Sequence, residues 1–549
     1  MNIKRITLNI AGMTCDHCAR SVEKALDAEG ILEKRVSYPQ ASGTVVFDPS
    51  KIDAGRIERL INDTGHYRVT GLDDANGAHE GESANKHLVI IGGGSAAFAA
   101  TTEAVSRGAR VTMINDGLPI GGTCVNVGCV PSKNLLRAAE SLHRAQKNPF
   151  EGIETQGKLK NISALMEQKR SLVGQLRREK YIDVVKDLPG FRLVEGRGRF
   201  VGPNEIEVNG ETIKADVVLI AAGARPALPD IPGLSEVDYL TNASAFELEK
   251  LPESLIVLGG RYVALELAQL FSRLGSKVTV LQRSQRILPT ESADITEALS
   301  GYLQQEGIRI VTGNALQRIR QNSNEIVVET RIDGRAETFT AEKLLVATGR
   351  RANTDGLDLE TAGVETDRRG FIKTNDYLQT TTPHIFAAGD ILGENMFVYT
   401  AAYEGKLAVV NALSAEKQKR DYTALPWVVF TDPQVAGVGP DEEQAKQQGI
   451  EAESAVLPLD YVPRALAARD TRGVIKLIRD KKTDRLIGAR ILAAEGSELL
   501  MEAALAIKFG ITVEQIKEMF HPYLTLSEGI KLAAITFSKS VKELSCCAT

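Results

Sequence analysis

Two stretches of this chain repeat each other without a gap. His87-Leu-Val-Ile-Ile-Gly92 continues as GGSAAFAATTEAVSRGARVTMIND, and Ser254-Leu-Ile-Val-Leu-Gly259 continues as GRYVALELAQLFSRLGSKVTVLQR. In each copy an apolar run meets a glycine turn, an amphipathic helix follows, and Gly108 or Gly275 stands sixteen residues after the first glycine. That order reads as a buried strand, a tight turn, a helix and a second strand, with backbone N–H groups at the helix start free to cradle a pyrophosphate. One glycine turn is weak evidence. Two in register, each between strand and helix, predict two dinucleotide sites in an α/β chain.

The copies, each the start of a Rossmann unit, differ where the nucleotide ribose is read. The end of the second strand usually holds an acid on the ribose 2′-OH. In the first copy that place is Asn115, with Asp116 and Gly117 beside it; in the second it is Gln282, followed by Arg283 and Arg286. A missing acid with two arginines favours a 2′-phosphate, so the second site is expected to take NADPH rather than NADH.

At 549 residues the chain exceeds one ordinary core, and three or four domains are expected. A net charge of −5 gives no electrostatic case for nucleic acid. No apolar run approaches the ~18–20 residues of a membrane helix, and the N-terminus lacks a secretory h-region, so no membrane insertion and a cytoplasmic location are expected.

The six cysteines fall into three close pairs, Cys15/Cys18, Cys124/Cys129 and Cys546/Cys547. A secreted scaffold would spread them to close long loops; short-range dithiols point to soft-metal binding or redox chemistry. Residues 1–70 read as a separate βαββαβ module: strands at 3–10, 36–38, 43–47 and 67–70, helices at 19–29 and 54–62. Residues 71–85, rich in acids and glycine, read as a flexible linker. From about Tyr422 alternating strands (427–430, 474–478, 486–492) and helices (498–508, 513–519) read as a mixed α+β domain.

The most informative segment is Gly121-Gly-Thr-Cys-Val-Asn-Val-Gly-Cys-Val-Pro-Ser-Lys133, read as preceding a helix at 134–145. Two thiols five apart at a helix start can close a redox-active disulfide, and the helix N-terminus lowers the pKa of one of them.

This segment resembles the active-site motif of the flavin-dependent pyridine nucleotide-disulfide oxidoreductases, the group of glutathione reductase and dihydrolipoamide dehydrogenase. Ala221–Pro226 (AAGARP), Ala347–Thr354 (ATGRRANT) and Phe386–Asp390 (FAAGD) resemble further motifs of that group, in its order. The resemblance implies a glutathione reductase-like fold: an FAD-binding domain at 86–225 and 341–421, an NADPH-binding domain at 226–340, and a dimerisation domain at 422–549. It implies FAD and NADPH as cofactors and a homodimer. FAD would lie on Gly92, Gly94, Ala97, Asn115, Asp116, Gly117, Gly122, Thr123, Lys133, Ala222, Gly223, Asp390 and Val398. NADPH would lie on Gly259, Arg283 and Arg286. Cys129 would face the flavin as the charge-transfer thiolate and Cys124 would face the substrate. Lys133 would approach the flavin and pair with Glu266, and Tyr262 would gate the nicotinamide. Arg261 departs from the pattern, standing where the turn usually has glycine.

Disulfide reductases of the group carry a His-Pro-Thr-x-x-Glu motif whose histidine shuttles a proton. Aligning Glu528 with that glutamate puts Tyr523 in the histidine's place and His521 two positions early. A phenol with a pKa near ~10 is a poor proton shuttle at neutral pH. Adjacent Cys546 and Cys547 close a disulfide only with strain and read better as two soft ligands. Gly12-Met-Thr-Cys-Asp-His-Cys18 resembles the metal site of heavy-metal-associated domains. Together these features resemble the Hg(II)-reducing members of the group. They imply NADPH-driven reduction of Hg(II), delivered as a complex with small thiols and passed between cysteine pairs: Cys15/Cys18, then Cys546/Cys547, then Cys124/Cys129. Dihydrolipoamide dehydrogenase activity and copper delivery are the alternatives.

Overall fold

The computed structural model describes residues 4–13, 16–38, 41–74 and 86–544. Its first unit has a four-stranded antiparallel sheet in the order Ile31–Ser37, Ser42–Phe47, Lys4–Ala11, Arg68–Asp74, with helices Asp16–Ala25 and Ala54–Asn62. Alternation sets its core: Ile6, Leu8 and Ile10 point to one face and are buried against Val22, Leu26, Ile57 and Ile61. Asp53 caps the second helix by accepting from the Arg56 N–H at 2.7 Å. Two expectations change here. The first helix begins at Asp16 and ends at Ala25, so Cys18 lies in its first turn. The last strand runs on through Gly71–Asp74, opposite Ile6–Asn9, so the expected linker 71–85 begins with four residues of sheet. Its polar composition concealed a backbone ladder that needs no apolar side chain.

The two βαβ copies grow into two matching five-stranded parallel sheets. The first has the order Ile385–Ala387, Val217–Ile220, His87–Ile91, Arg110–Asn115, Phe191–Glu195. The second has the order Tyr239–Leu240, Lys343–Val346, Ser254–Leu258, Lys277–Leu281, Arg309–Val311. Strands covered on both faces are apolar throughout, and Leu88–Ile91 and Leu255–Leu258 are all buried. Each sheet also carries a three-stranded antiparallel meander, within 199–214 in one and 314–341 in the other. The expected return to the first unit at 341 comes too early, because Lys343–Val346 pairs with Leu255–Leu258 of the second sheet. The chain crosses between the units on a two-stranded ribbon, Ala224–Pro226 against Arg350–Ala352.

The last unit is a five-stranded antiparallel sheet, Trp427–Val429, Gln434–Val438, Leu486–Ala493, Val474–Asp480, Ala452–Pro458, covered by helices Gly496–Lys508 and Glu528–Ile535. Met501, Leu505, Phe509, Met519, Phe520 and Leu524 remain exposed on it. Among the described residues no helix is long and apolar enough to cross a membrane.

Candidate active site

A cavity of about 640 Å³ opens where the first sheet's strands end. Its floor is made of glycines that admit no side chain. A Cβ on Gly92, at φ +127°, would stand 2.2 Å from the Ala221 carbonyl oxygen, and one on Gly122 would stand 2.7 Å from Gly94 Cα. Helix Ser95–Ser106 begins at this floor, so its unpaired N–H groups face the cavity, which suits an anionic diphosphate. Gly94, Asn115, Asp116, Gly117, Thr123, Ala222, Gly223, Asp390 and Val398 also line it, as do Cys124 and Cys129.

Two expected contacts fall elsewhere. Ala97 is fully buried in the first unit's core, and Ser95 and Ala96 face the cavity instead. One helical residue turns the side chain about 100° away, which puts Ala97 on the sheet side. Lys133 borders a smaller cavity of about 220 Å³ with Arg137, Arg273 and Phe430.

Asn115 presses against Gly93 and donates to the Leu118 carbonyl at 3.1 Å and to Glu195 Oε2 at 3.0 Å. The carboxylate absent at position 115 thus stands on the neighbouring strand. Asp390, whose carboxyl burial pushes upward, lies 3.4 Å from Arg350 Nε, a buried donor with no hydrogen-bond acceptor among the described residues. A glycine cradle, a helix start and an unsatisfied buried donor all fit the diphosphate and ribityl chain of FAD.

The dithiol is itself helical, and the helix expected at 134–145 begins earlier, on Cys129. Helix Gly122–Val127 carries Cys124, and helix Cys129–Gln146 begins on Cys129. Both cysteines are half-buried thiols. Hydrogen bonding from the Cys124 thiol, aided by the Lys133 charge, outweighs burial and lowers the Cys129 pKa to about 7. The Cys124 thiol is pushed up by the same bond and by burial. The pair therefore holds one proton between a thiolate at the helix start and a thiol beside it.

Lys133 Nζ donates to Glu266 Oε2 at 2.7 Å and lies 4.4 Å from the centre of the Phe430 ring. Glu266 Oε1 accepts from the Phe430 N–H at 3.0 Å. Tyr262 opens helix Tyr262–Leu274, and burial pushes its phenol up to about 12. In the second turn a Cβ on Gly259, at φ +113°, would stand 2.4 Å from the Ala347 carbonyl oxygen. Arg261 stands in this turn and is exposed; Arg283 is exposed and Arg286 half-buried on the segment 282–288, whose Gln282 packs against Gly260 and whose Leu288 N–H donates to the Gly260 carbonyl.

Tyr523 is 55% exposed on the dimerisation domain's surface and does not line the cavity. His521 turns inward, its Nε2 2.6 Å from Glu502 Oε1. Cys15, Cys546 and Cys547 lie outside the described residues. Two groups escaped sequence reasoning. Tyr181, packed edge-on against Phe98 and beside Gly121, stands near the dithiol but belongs to a distant helix with no motif. Glu404 is fully buried, and its Oε2 accepts from the Gly389 N–H at 2.6 Å, holding the turn that carries Asp390. An acid inside a largely apolar helix was the available signal for Glu404.

The family described as "Pyridine nucleotide-disulphide oxidoreductase" matches residues 86–405, and its dimerisation domain matches residues 425–534. The heavy-metal-associated domain matches residues 7–66. The chain is 43% identical over 543 residues to the mercuric reductase of Staphylococcus aureus, covering 98% of each protein. It is 44% identical to that of Bacillus cereus, over 100% of this chain and 87% of the other. The chain belongs to the mercuric reductase family. Among solved structures, the Cu(II) complex of the HOCl-induced flavoprotein disulfide reductase RclA from Escherichia coli matches with a TM-score of 0.74 and 28% identity, over 83% of this chain and all of that one. LpdA from Mycobacterium tuberculosis matches at a TM-score of 0.74 and 27% identity, over 83% and 100%. Membership of the mercuric reductase family brings FAD and NADPH as cofactors, the dimerisation domain brings a homodimer, and the N-terminal module is a metal-binding one.

Proposed function

We propose that this protein catalyses NADPH + Hg(II) → NADP⁺ + H⁺ + Hg(0), as a homodimeric flavoprotein serving mercury detoxification. The observation that carries this reading is a dithiol at a helix start, lining the cofactor cavity, with no imidazole free to serve it from the His-Pro segment. Tyr523 holds the histidine's place, and His521 is committed to Glu502. A disulfide substrate needs a proton at its leaving thiolate; a metal bis-thiolate does not.

Bound FAD supplies a two-electron relay between nicotinamide and thiols. The protein's own residues do the rest. Gly259 admits the NADPH diphosphate, Arg283 and Arg286 hold its 2′-phosphate, and Tyr262 closes the nicotinamide entrance. Lys133, fixed by Glu266, supplies positive charge that favours the Cys129 thiolate and would act on bound flavin through that charge. Hg(II) is captured by Cys15 and Cys18 or arrives on small thiols. It moves to Cys546 and Cys547, then to Cys124 and Cys129, each transfer by attack of an incoming thiolate, so that the ion never leaves sulfur. On that last pair it takes up two electrons and leaves as Hg(0), returning two thiolates. The tail of one subunit serves the dithiol of the other, where Tyr523 of the tail-bearing subunit would also stand.

The test is NADPH oxidation by the purified holoenzyme in excess small thiol, with and without Hg(II). Oxidation that requires Hg(II) and is lost in Cys124→Ala is expected. Turnover on lipoamide without response to Hg(II) would establish a disulfide reductase instead.

A further inference from the structure

Tyr262 is one ring of a row. Trp427 stacks on it, with ring centres 5.8 Å apart and planes 15° apart. Phe397 lies on it at 6.3 Å and 17°, and Tyr399 lies on Phe397 at 5.3 Å and 5°. The row begins in the dimerisation sheet, crosses the start of helix Tyr262–Leu274, and ends at helix Val398–Leu413, whose first residue lines the large cavity. Offset parallel rings attract each other beyond the area they bury.

The seat of Trp427 is built for an indole. Across the antiparallel pair its partner is Gly437, where a Cβ would stand 2.4 Å from the indole Cζ2. Any side chain there would evict the ring. The Arg490 guanidinium lies 5.6 Å from the ring centre, and Glu291 fixes it at 2.7 Å, both side chains being buried. A cation held over an indole adds attraction. Trp427 is therefore anchored from behind, while Tyr262 sits at a helix start and is not anchored by any hydrogen bond of its own side chain among the described residues.

We propose that Trp427 is a positioning residue for the nicotinamide: its stack holds Tyr262 closed over the entrance, and the nicotinamide ring enters by taking Tyr262 out of the row. The proposal rests on the reading of Tyr262 as the gate. A closed gate lowers the apparent affinity for any nucleotide that carries a nicotinamide, in proportion to the closed fraction. A nucleotide without that ring is indifferent to it.

Trp427 is the chain's single tryptophan, so its emission reports the row directly. The experiment titrates the FAD-loaded, full-length protein with NADP⁺ and with 2′-phospho-ADP-ribose, which lacks the nicotinamide. NADP⁺ is expected to change Trp427 emission and the fragment to leave it unchanged. Trp427→Ala should tighten NADP⁺ about three- to tenfold, the range expected for one lost aromatic stack, with fragment affinity unchanged. Trp427→Phe should return the ratio of the two affinities toward wild type. A general loosening of the domain would move both ligands together, so an unchanged ratio in Trp427→Ala overturns the proposal, as does emission indifferent to NADP⁺. Tyr262→Ala separates the two readings. If it shifts the ratio and Trp427→Ala does not, the stack alone is refuted; if neither variant shifts it, the gate itself is refuted.

Discussion

Lys133 and Glu266 lie 133 positions apart, yet Lys133 Nζ and Glu266 Oε2 meet at 2.7 Å. The same carboxylate accepts from the Phe430 N–H at 3.0 Å, so it joins the dithiol helix, the second nucleotide unit and the dimerisation domain. Glu266→Gln keeps the shape and removes the charge. A hydrogen bond to a charged group contributes about 1.5–3 kcal/mol, so reduction of bound flavin by NADPH is expected to slow by about tenfold or more. Stopped-flow absorbance of the flavin measures it. An unchanged rate would remove Lys133 and Glu266 from the reaction.

The dithiol makes a pH prediction with a defined sign. Cys129 titrates near 7 because the Cys124 thiol bonds to its thiolate. Below that pH the thiolate takes a proton and loses its nucleophilicity; above it the thiolate persists. In the reduced holoenzyme, thiolate absorbance should rise with a midpoint near 7. In Cys124→Ala the largest stabilising contact is gone, so the midpoint should move upward toward the ordinary value of about 8.5. A midpoint that stays in place would show that the helix start and Lys133 suffice.

On the proposed assignment to the 2′-phosphate, Arg283 and Arg286 would distinguish two nucleotides that differ by one phosphate. Replacing either by alanine should weaken NADPH by about tenfold, the loss of one charge-assisted contact, and leave NADH nearly unchanged. The measured quantity is the ratio of kcat/KM for the two. Equal loss for both nucleotides would place these arginines on the diphosphate instead.

Glu404 ties stability to pH. Burial raises its pKa from 4.5 to about 7. Between those values the folded protein holds a proton that the unfolded chain has released, so this group's contribution falls as pH rises and is fully lost above the folded pKa. The span corresponds to on the order of 3 kcal/mol. Relative to Glu404→Gln, the wild-type holoenzyme should lose Tm as pH rises from about 5 to about 7 and level off above that. A constant difference across that range would mean that Glu404 stays ionised on the Gly389 N–H and Tyr422 hydroxyl.

Much of this was legible in the sequence because its signals are local. The glycines at 92 and 259 mark strand–turn–helix units whose strands pair as the repeat implied. What the sequence concealed is non-local. The edge strand of the first sheet, Ile385–Ala387, comes from the far side of the second unit, while the corresponding Tyr239–Leu240 precedes its own repeat. No periodicity distinguishes those routes. The strand Lys343–Val346 is separated from the meander before it by Glu342 alone, which hid the true crossing point. Trp427 reads simply as a strand residue until the fold lays it on Tyr262. Tyr523 was legible as a substitution, but its position on an exposed face depends on packing that the motif does not encode.

The central claim is that two electrons from one NADPH leave the protein on one mercury atom. The most direct measurement is a limited-NADPH experiment: pre-reduced holoenzyme, Hg(II) bound to a small thiol, and known amounts of NADPH, with the volatilised mercury collected and counted. One Hg(0) released per NADPH oxidised, and none from Cys124→Ala, is the predicted result. NADPH consumed with no mercury volatilised, its electrons appearing in reduced disulfides or in oxygen, would contradict the account.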